Sequence, residues 1–150
     1  MAASALPDAY RISATCACFN LRKSARLVTR MYDHKLRPSG IRATQFTILV
    51  AVQANAPVAI QALAQIVVMD RTTLARNLKP LVRNGLIAIY RGADRRVRQA
   101  ELTTAGQKIL TRALPLRTSA QNELTRRLGP SNLETLLGAL AKTVEAFQTD

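Results

Sequence analysis

Apolar and basic positions interleave at helical spacing over about residues 14–36. Phe19, Leu21, Val28, Met31 and Tyr32 alternate with Arg22, Lys23, Arg26, Arg30 and Lys35, which predicts a first helix after a loose arm at 1–13. Arg37-Pro38-Ser39-Gly40 stops it. A second helix is expected over about 43–54 on Phe46, Leu49 and Val50, ended by Asn55-Ala56-Pro57. Two short helices follow. One covers about 60–67 with Ile60, Leu63, Ala64 and Val67 on one face. The other is capped by Asp70 and runs to about 84 with Leu74, Leu78, Leu81 and Val82 inward, closed by Gly85.

The hydrophobic period then shortens from 3.6 to about 2. Residues 86–90 read as a strand, Gly92-Ala93-Asp94 as a turn, and 97–102 as the returning strand of a hairpin. Thr103 caps a long helix to about 128, which Pro115 is expected to kink or split. Gly129-Pro130 breaks the chain again, and Ser131 with Glu134 forms a capping box for a last helix to about 147. The fold class is therefore mainly α with a small β-hairpin. Two short helices followed by a basic hairpin make a winged helix-turn-helix. One domain is expected, with 41–102 as the winged helix-turn-helix lobe between flanking helices at 14–36 and 103–147.

Composition narrows the function. The chain has 150 residues, 22 Lys and Arg against 9 acids, and a formal charge of +13. Such a balance calls for a polyanionic partner. No stretch approaches the roughly 18 apolar residues of a membrane span, and residues 1–11 carry no leader pattern. The six aromatic residues form no stacking platform for single strands, so duplex DNA is favoured. Cys16 and Cys18 suggest neither a disulfide framework nor a zinc site, in keeping with a reduced, cytoplasmic protein. One His and few acids leave no catalytic set, so neither enzyme activity nor a cofactor is expected.

The charge is concentrated. Residues 70–98 hold eight basic residues and two acids, all on one helix and the hairpin. On the helix, Arg71, Thr72, Thr73, Arg76, Asn77 and Lys79 lie opposite the leucines, free to meet a groove. Arg reads guanine, Asn reads adenine, a Thr methyl packs on thymine, and Thr and Lys anchor phosphates. On the hairpin the candidates are Arg91, Asp94, Arg95 and Arg96. A tip arginine can enter a narrow A·T minor groove while an acid two positions earlier holds its guanidinium.

Gly85-Leu86-Ile87, Arg91, Asp94-Arg95-Arg96 and Leu102-Thr103-Thr104-Ala105-Gly106 resemble the signature of the MarR family, in residue type and spacing. Leu63-Ala64 and the helix from Asp70 fit as well, and the resemblance covers about 16–147. It implies a homodimeric repressor on a pseudo-palindromic operator, with 41–102 as the DNA-binding lobe, 14–36 and 103–147 as dimerisation helices, and Asp94 orienting Arg96 in the minor groove. It also implies release by a small aromatic or lipophilic ligand, or by an oxidant. Cys18 and Tyr32 fall where the hydroperoxide-sensing branch of that family keeps a reactive thiol and its tyrosine partner. Arg22, one turn after Cys18, would favour the thiolate, but stands where that branch has a second tyrosine. Otherwise Cys16 and Cys18 read as small buried residues. Arg22, Arg26 and Tyr32 could instead meet a carboxylate between the lobes. A nonspecific architectural DNA-binding protein is the alternative that charge alone would support.

Overall fold

The computed structural model describes residues 6–148. Two helices, α1 (Leu6–Thr15) and α2 (Ala17–Leu36), lead through a 3-10 turn (Arg37–Ser39) to α3 (Ala43–Asn55). A short strand β1 (Val58–Ala59) precedes α4 (Ile60–Ile66) and α5 (Arg71–Arg83). The hairpin β2 (Ile87–Arg91) and β3 (Arg98–Leu102) follows, then α6 (Thr104–Leu128) and α7 (Pro130–Gln148). The sheet is antiparallel with β3 in the middle. Val58 lies opposite Ala100, and β2 pairs from Ile87↔Leu102 to Arg91↔Arg98.

Several elements depart from the sequence pattern. The arm expected to be loose at 1–13 contains α1, and the helix expected from residue 14 begins at Ala17, because Cys16 caps it: its Sγ accepts the Phe19 amide at 3.5 Å. A two-residue strand, β1, is too short to carry an alternation. Pro115 does not split α6, since the buried Ala113 and Ala120 hold the helix in place on either side of it. Ser131 does not cap α7. The helix begins a residue earlier, with Pro130 in its first turn and only Gly129, at φ +83°, between the helices.

The core lies between α3, α4, α5, the sheet and the first half of α6. Leu36, Ile48, Leu49, Val52, Leu63, Leu74, Leu81 and Ile87 are its largest fully buried side chains. Each such side chain contributes about 1.5–3 kcal/mol of burial. The leucine stripe of α5 is therefore what fixes that helix's rotation and presents its polar side outward. Val82, expected on the same stripe, is instead exposed.

Chain reversals frame α5 on both sides. After α5, the amide of Gly85 (φ +68°) donates to the Val82 carbonyl and that of Leu86 to the Leu81 carbonyl, both at 2.9 Å, which is a Schellman closure. The same two bonds close α4, from Val68 to Gln65 and from Met69 to Ala64. There the left-handed position is held by a β-branched residue, Val68, at φ +51° and 67% exposed. This conformation costs an L-residue about 1–2 kcal/mol. Val68→Gly is expected to raise stability by about 1 kcal/mol, read as a higher melting temperature; an unchanged or lower one would show the turn to be unstrained.

Helix α3 has no capping side chain of its own, because its N-cap, Arg42, has no acceptor. Asp33, ten residues earlier on α2, accepts the Ala43 amide at 2.7 Å, and Gln45 accepts the Arg42 amide at 2.9 Å. Beyond the core, α2 runs against α6, where the Tyr32 hydroxyl donates to Gln121 Oε1 at 2.6 Å. Burial raises the Tyr32 pKa, partly offset by Arg117. Near its end α6 carries Glu123, held at a pKa of about 2 by hydrogen bonds from Arg126 and Arg127. Helix α7 buries only Leu133, leaving Leu136, Leu137, Leu140, Val144 and Phe147 exposed. No helix among the described residues is long and apolar enough to cross a membrane.

Candidate nucleic-acid interface

The N-terminus of α5 is built by Asp70. Its Oδ1 accepts the Thr73 amide at 2.8 Å, and its Oδ2 accepts the Thr73 hydroxyl at 2.6 Å. These bonds lower the Asp70 pKa and keep the cap ionised. They also commit the Thr73 hydroxyl to the cap. Asn77 is half-buried, and its amide donates back to the Thr73 carbonyl at 2.8 Å. Arg71, Thr72, Arg76 and Lys79 are exposed, and the three cations make no ion pair among the described residues. The exposed face of α5 thus offers guanidinium and ammonium groups aimed at solvent, with Thr73 and Asn77 holding its first turns.

The wing is organised by Asp94. Its Oδ1 accepts the Arg96 backbone amide at 2.9 Å and lies 3.5 Å from Arg96 Nε. Its carbonyl accepts the Val97 amide at 2.9 Å, while Gly92 donates to the Val97 carbonyl at 2.8 Å and closes the loop. The Arg96 side chain is nevertheless 92% exposed, so the tip is shaped by Asp94 and its charge left outward. Arg95 is exposed beside it. Arg91 and Arg98 are direct cross-strand partners. Like charges in that position destabilise a ladder, and a phosphate between them would remove the cost. Tyr90 donates to Glu101 at 3.1 Å, and burial followed by that carboxylate raises its pKa.

Helix and wing converge. Arg71 of α5 and Arg96 and Arg98 of the wing line one cleft of 530 Å³ with Gln61 and Gln65 of α4. The two glutamines are exposed and one helical turn apart, and the sequence reading passed over them. Their (i, i+4) spacing on the exposed side of the first helix of the pair was the available signal. Amide side chains there can bond to phosphates or base edges.

The sensing candidates lie elsewhere. Cys18 and Arg22 are exposed on α2, and Cys16 is half-buried, so neither cysteine is the small buried residue one reading expected. Tyr32 lies fourteen residues beyond Cys18 on the same helix, roughly 21 Å along its axis. Within one chain the two do not meet, and the Tyr32 hydroxyl is bonded to Gln121.

The winged helix-turn-helix DNA-binding family matches residues 41–88, the stretch from the start of α3 to β2. The transcriptional regulator MosR of M. tuberculosis, solved in complex with DNA, is 37% identical with a TM-score of 0.75; the match covers 87% of this chain and 97% of that one. The transcriptional repressor CouR, solved on a 23-mer DNA duplex, is 27% identical over 88% of this chain and 94% of its own, with a TM-score of 0.80. CouR has also been solved with p-coumaroyl-CoA bound. The HTH-type transcriptional regulator YwoH of Bacillus subtilis is 25% identical over 88 residues, 59% of this chain and 64% of that protein.

Proposed function

This chain belongs to the MarR family of winged helix-turn-helix transcriptional regulators, and we propose from there that it is a homodimeric, sequence-specific repressor. In this reading α5 enters the major groove and the wing tip the adjacent minor groove. The observation that carries it is the shared cleft in which Arg71, Arg96 and Arg98 from two separate elements face the same space. A solvated basic helix would not require a hairpin to bring its own arginines to the same place.

Two copies follow from the apolar surface that α7 leaves exposed, from Leu136 to Phe147. A patch of that kind calls for a partner, and a second copy related by a two-fold axis is the usual one. The operator would then be pseudo-palindromic, with half-sites about one helical turn apart.

Arg76→Ala is expected to weaken discrimination within the half-site by about 1–3 kcal/mol, read by fluorescence anisotropy on duplexes with single base-pair changes. Unchanged discrimination would remove Arg76 from base readout. The same titrations separate this function from nonspecific architectural binding, which falls steeply with salt and ignores sequence.

Release from DNA is assigned to an effector acting on the helices outside the DNA-binding lobe. A small aromatic or lipophilic ligand is one candidate, supported by the p-coumaroyl-CoA complex of CouR. Oxidation of Cys18 is the other, supported by its exposure on α2 with Arg22 one turn beyond. An organic hydroperoxide should release the wild type and leave Cys18→Ser bound. If both stay bound, the cysteines are structural and the effector is a ligand.

A further inference from the structure

Three of the fourteen basic residues outside residues 70–98 gather in one place. Arg30, His34 and Arg37 follow one another along one face at the end of α2, at spacings of four and three residues. Arg42 faces the same space from the start of α3. With Asp33, Gly40 and Ile41 they line a cleft of 720 Å³ that contains no residue of α4, α5 or the wing. Arg30, His34, Arg37 and Arg42 are exposed, and none of them makes an ion pair among the described residues. Asp33 is the cleft's only acid, and its carboxylate is engaged in capping α3 through the Ala43 amide.

Three guanidinium groups against one committed carboxylate leave the cleft positive, and the cluster gains nothing for the core, since only Ile41 of the lining is buried. A single carboxylate ligand would be satisfied by one arginine fork. Three arginines lining one cleft suit a group with several oxygens and more than one negative charge, which is phosphate. The volume lies in the roughly 300–1,000 Å³ range of small-ligand sites.

We infer that this cleft, at the junction of α2 and α3, binds the phosphate or diphosphate group of a small phosphorylated ligand. Arg30, Arg37 and Arg42 hold its oxygens, and His34 lies at the rim. The site is separate from the DNA-facing cleft, so the inference stands whether or not the chain reads DNA by sequence.

The test is isothermal titration of the full-length protein with sodium pyrophosphate at fixed ionic strength. Two double variants carry the same loss of charge: Arg37→Gln with Arg42→Gln in the cleft, and Lys23→Gln with Lys108→Gln at exposed positions outside both clefts. The cleft pair is expected to weaken binding about tenfold or more and the lysine pair to leave it within about threefold. Arg30→Gln alone, at an exposed position, should weaken binding in the same direction and guards against misfolding of the double variant. Equal losses in the two double variants would mean a general charge effect and overturn the site. The salt dependence of duplex binding supplies the second arm. If the cleft pair lowers the slope by about 0.9 per lost contact while pyrophosphate affinity is unchanged, DNA backbone fills the cleft and the small-ligand site is wrong.

Discussion

Arg96→Ala is expected to weaken binding to an operator duplex by about 1–3 kcal/mol, about fivefold to 150-fold, and to flatten the preference for A·T pairs flanking each half-site. The reason lies in the wing's construction. Asp94 spends its Oδ1 on the Arg96 backbone amide at 2.9 Å, which fixes the turn, yet leaves the guanidinium almost wholly in solvent. An arginine whose backbone is already held in the turn can enter the narrow, electronegative minor groove with only its side chain left to be ordered on binding. Asp94→Ala should reproduce part of the loss, since it removes the fixing bond and leaves the charge. Anisotropy titrations on duplexes with A·T and G·C flanks read both effects. A loss of equal size on every duplex, with flank discrimination intact, would show that Arg96 acts as an ordinary phosphate contact.

Gly106→Ala should be the most destructive single methyl group in the protein, costing about 3 kcal/mol or more of stability. Gly106 lies in the first turn of α6, where a β-carbon would press into the backbone carbonyl of Leu86. That carbonyl is fixed, because it accepts the Thr103 amide at 3.1 Å. Thr103 itself caps α6 through its hydroxyl oxygen, which accepts the Gly106 amide at 3.0 Å, and it donates to the Gly85 carbonyl at 2.5 Å. Gly85-Leu86 and Thr103-Thr104-Ala105-Gly106 are thus two halves of one joint, which ties the end of α5, the base of the wing and the start of α6 together. Nothing flexible can give way. Chemical denaturation of wild type and variant measures the cost; a loss under about 1 kcal/mol would mean that the joint yields and does not define the wing's position.

That joint also shows how much the sequence could disclose. The Gly85, Thr103 and Gly106 pattern was visible as a signature, but its cause, one carbonyl approached from two directions, appears only when the segments are brought together. Helix α5 was readable because a capping acid, a leucine stripe and a terminal glycine all agreed. Helix α1 was not, because its ten residues hold only Leu6, Tyr10 and Ile12 as large apolar side chains, too few to set a helical stripe apart from a loose arm. The capping box expected at Ser131 and Glu134 lost to Pro130, whose fixed φ starts α7 earlier. In the site, residue type placed Arg71, Arg76, Asp94 and Arg96 on exposed surfaces of helix and wing. It could not show that Thr73 and Asn77 would spend hydrogen bonds on their own helix. Nor could it show that Asp33 would cap α3 in place of Arg42, or that Tyr32 would bond to Gln121, 89 residues away.

The central claim is that α5 and the wing read sequence together. The most direct measurement selects the preferred duplex from a random library, then compares its affinity with a scrambled duplex of equal composition at physiological salt. The account predicts a pseudo-palindrome with half-sites about one helical turn apart, bound at least about a thousandfold more tightly than the scramble. Failure to enrich any symmetric site, with equal affinity for both duplexes, would contradict it and leave a basic protein that binds DNA by charge alone.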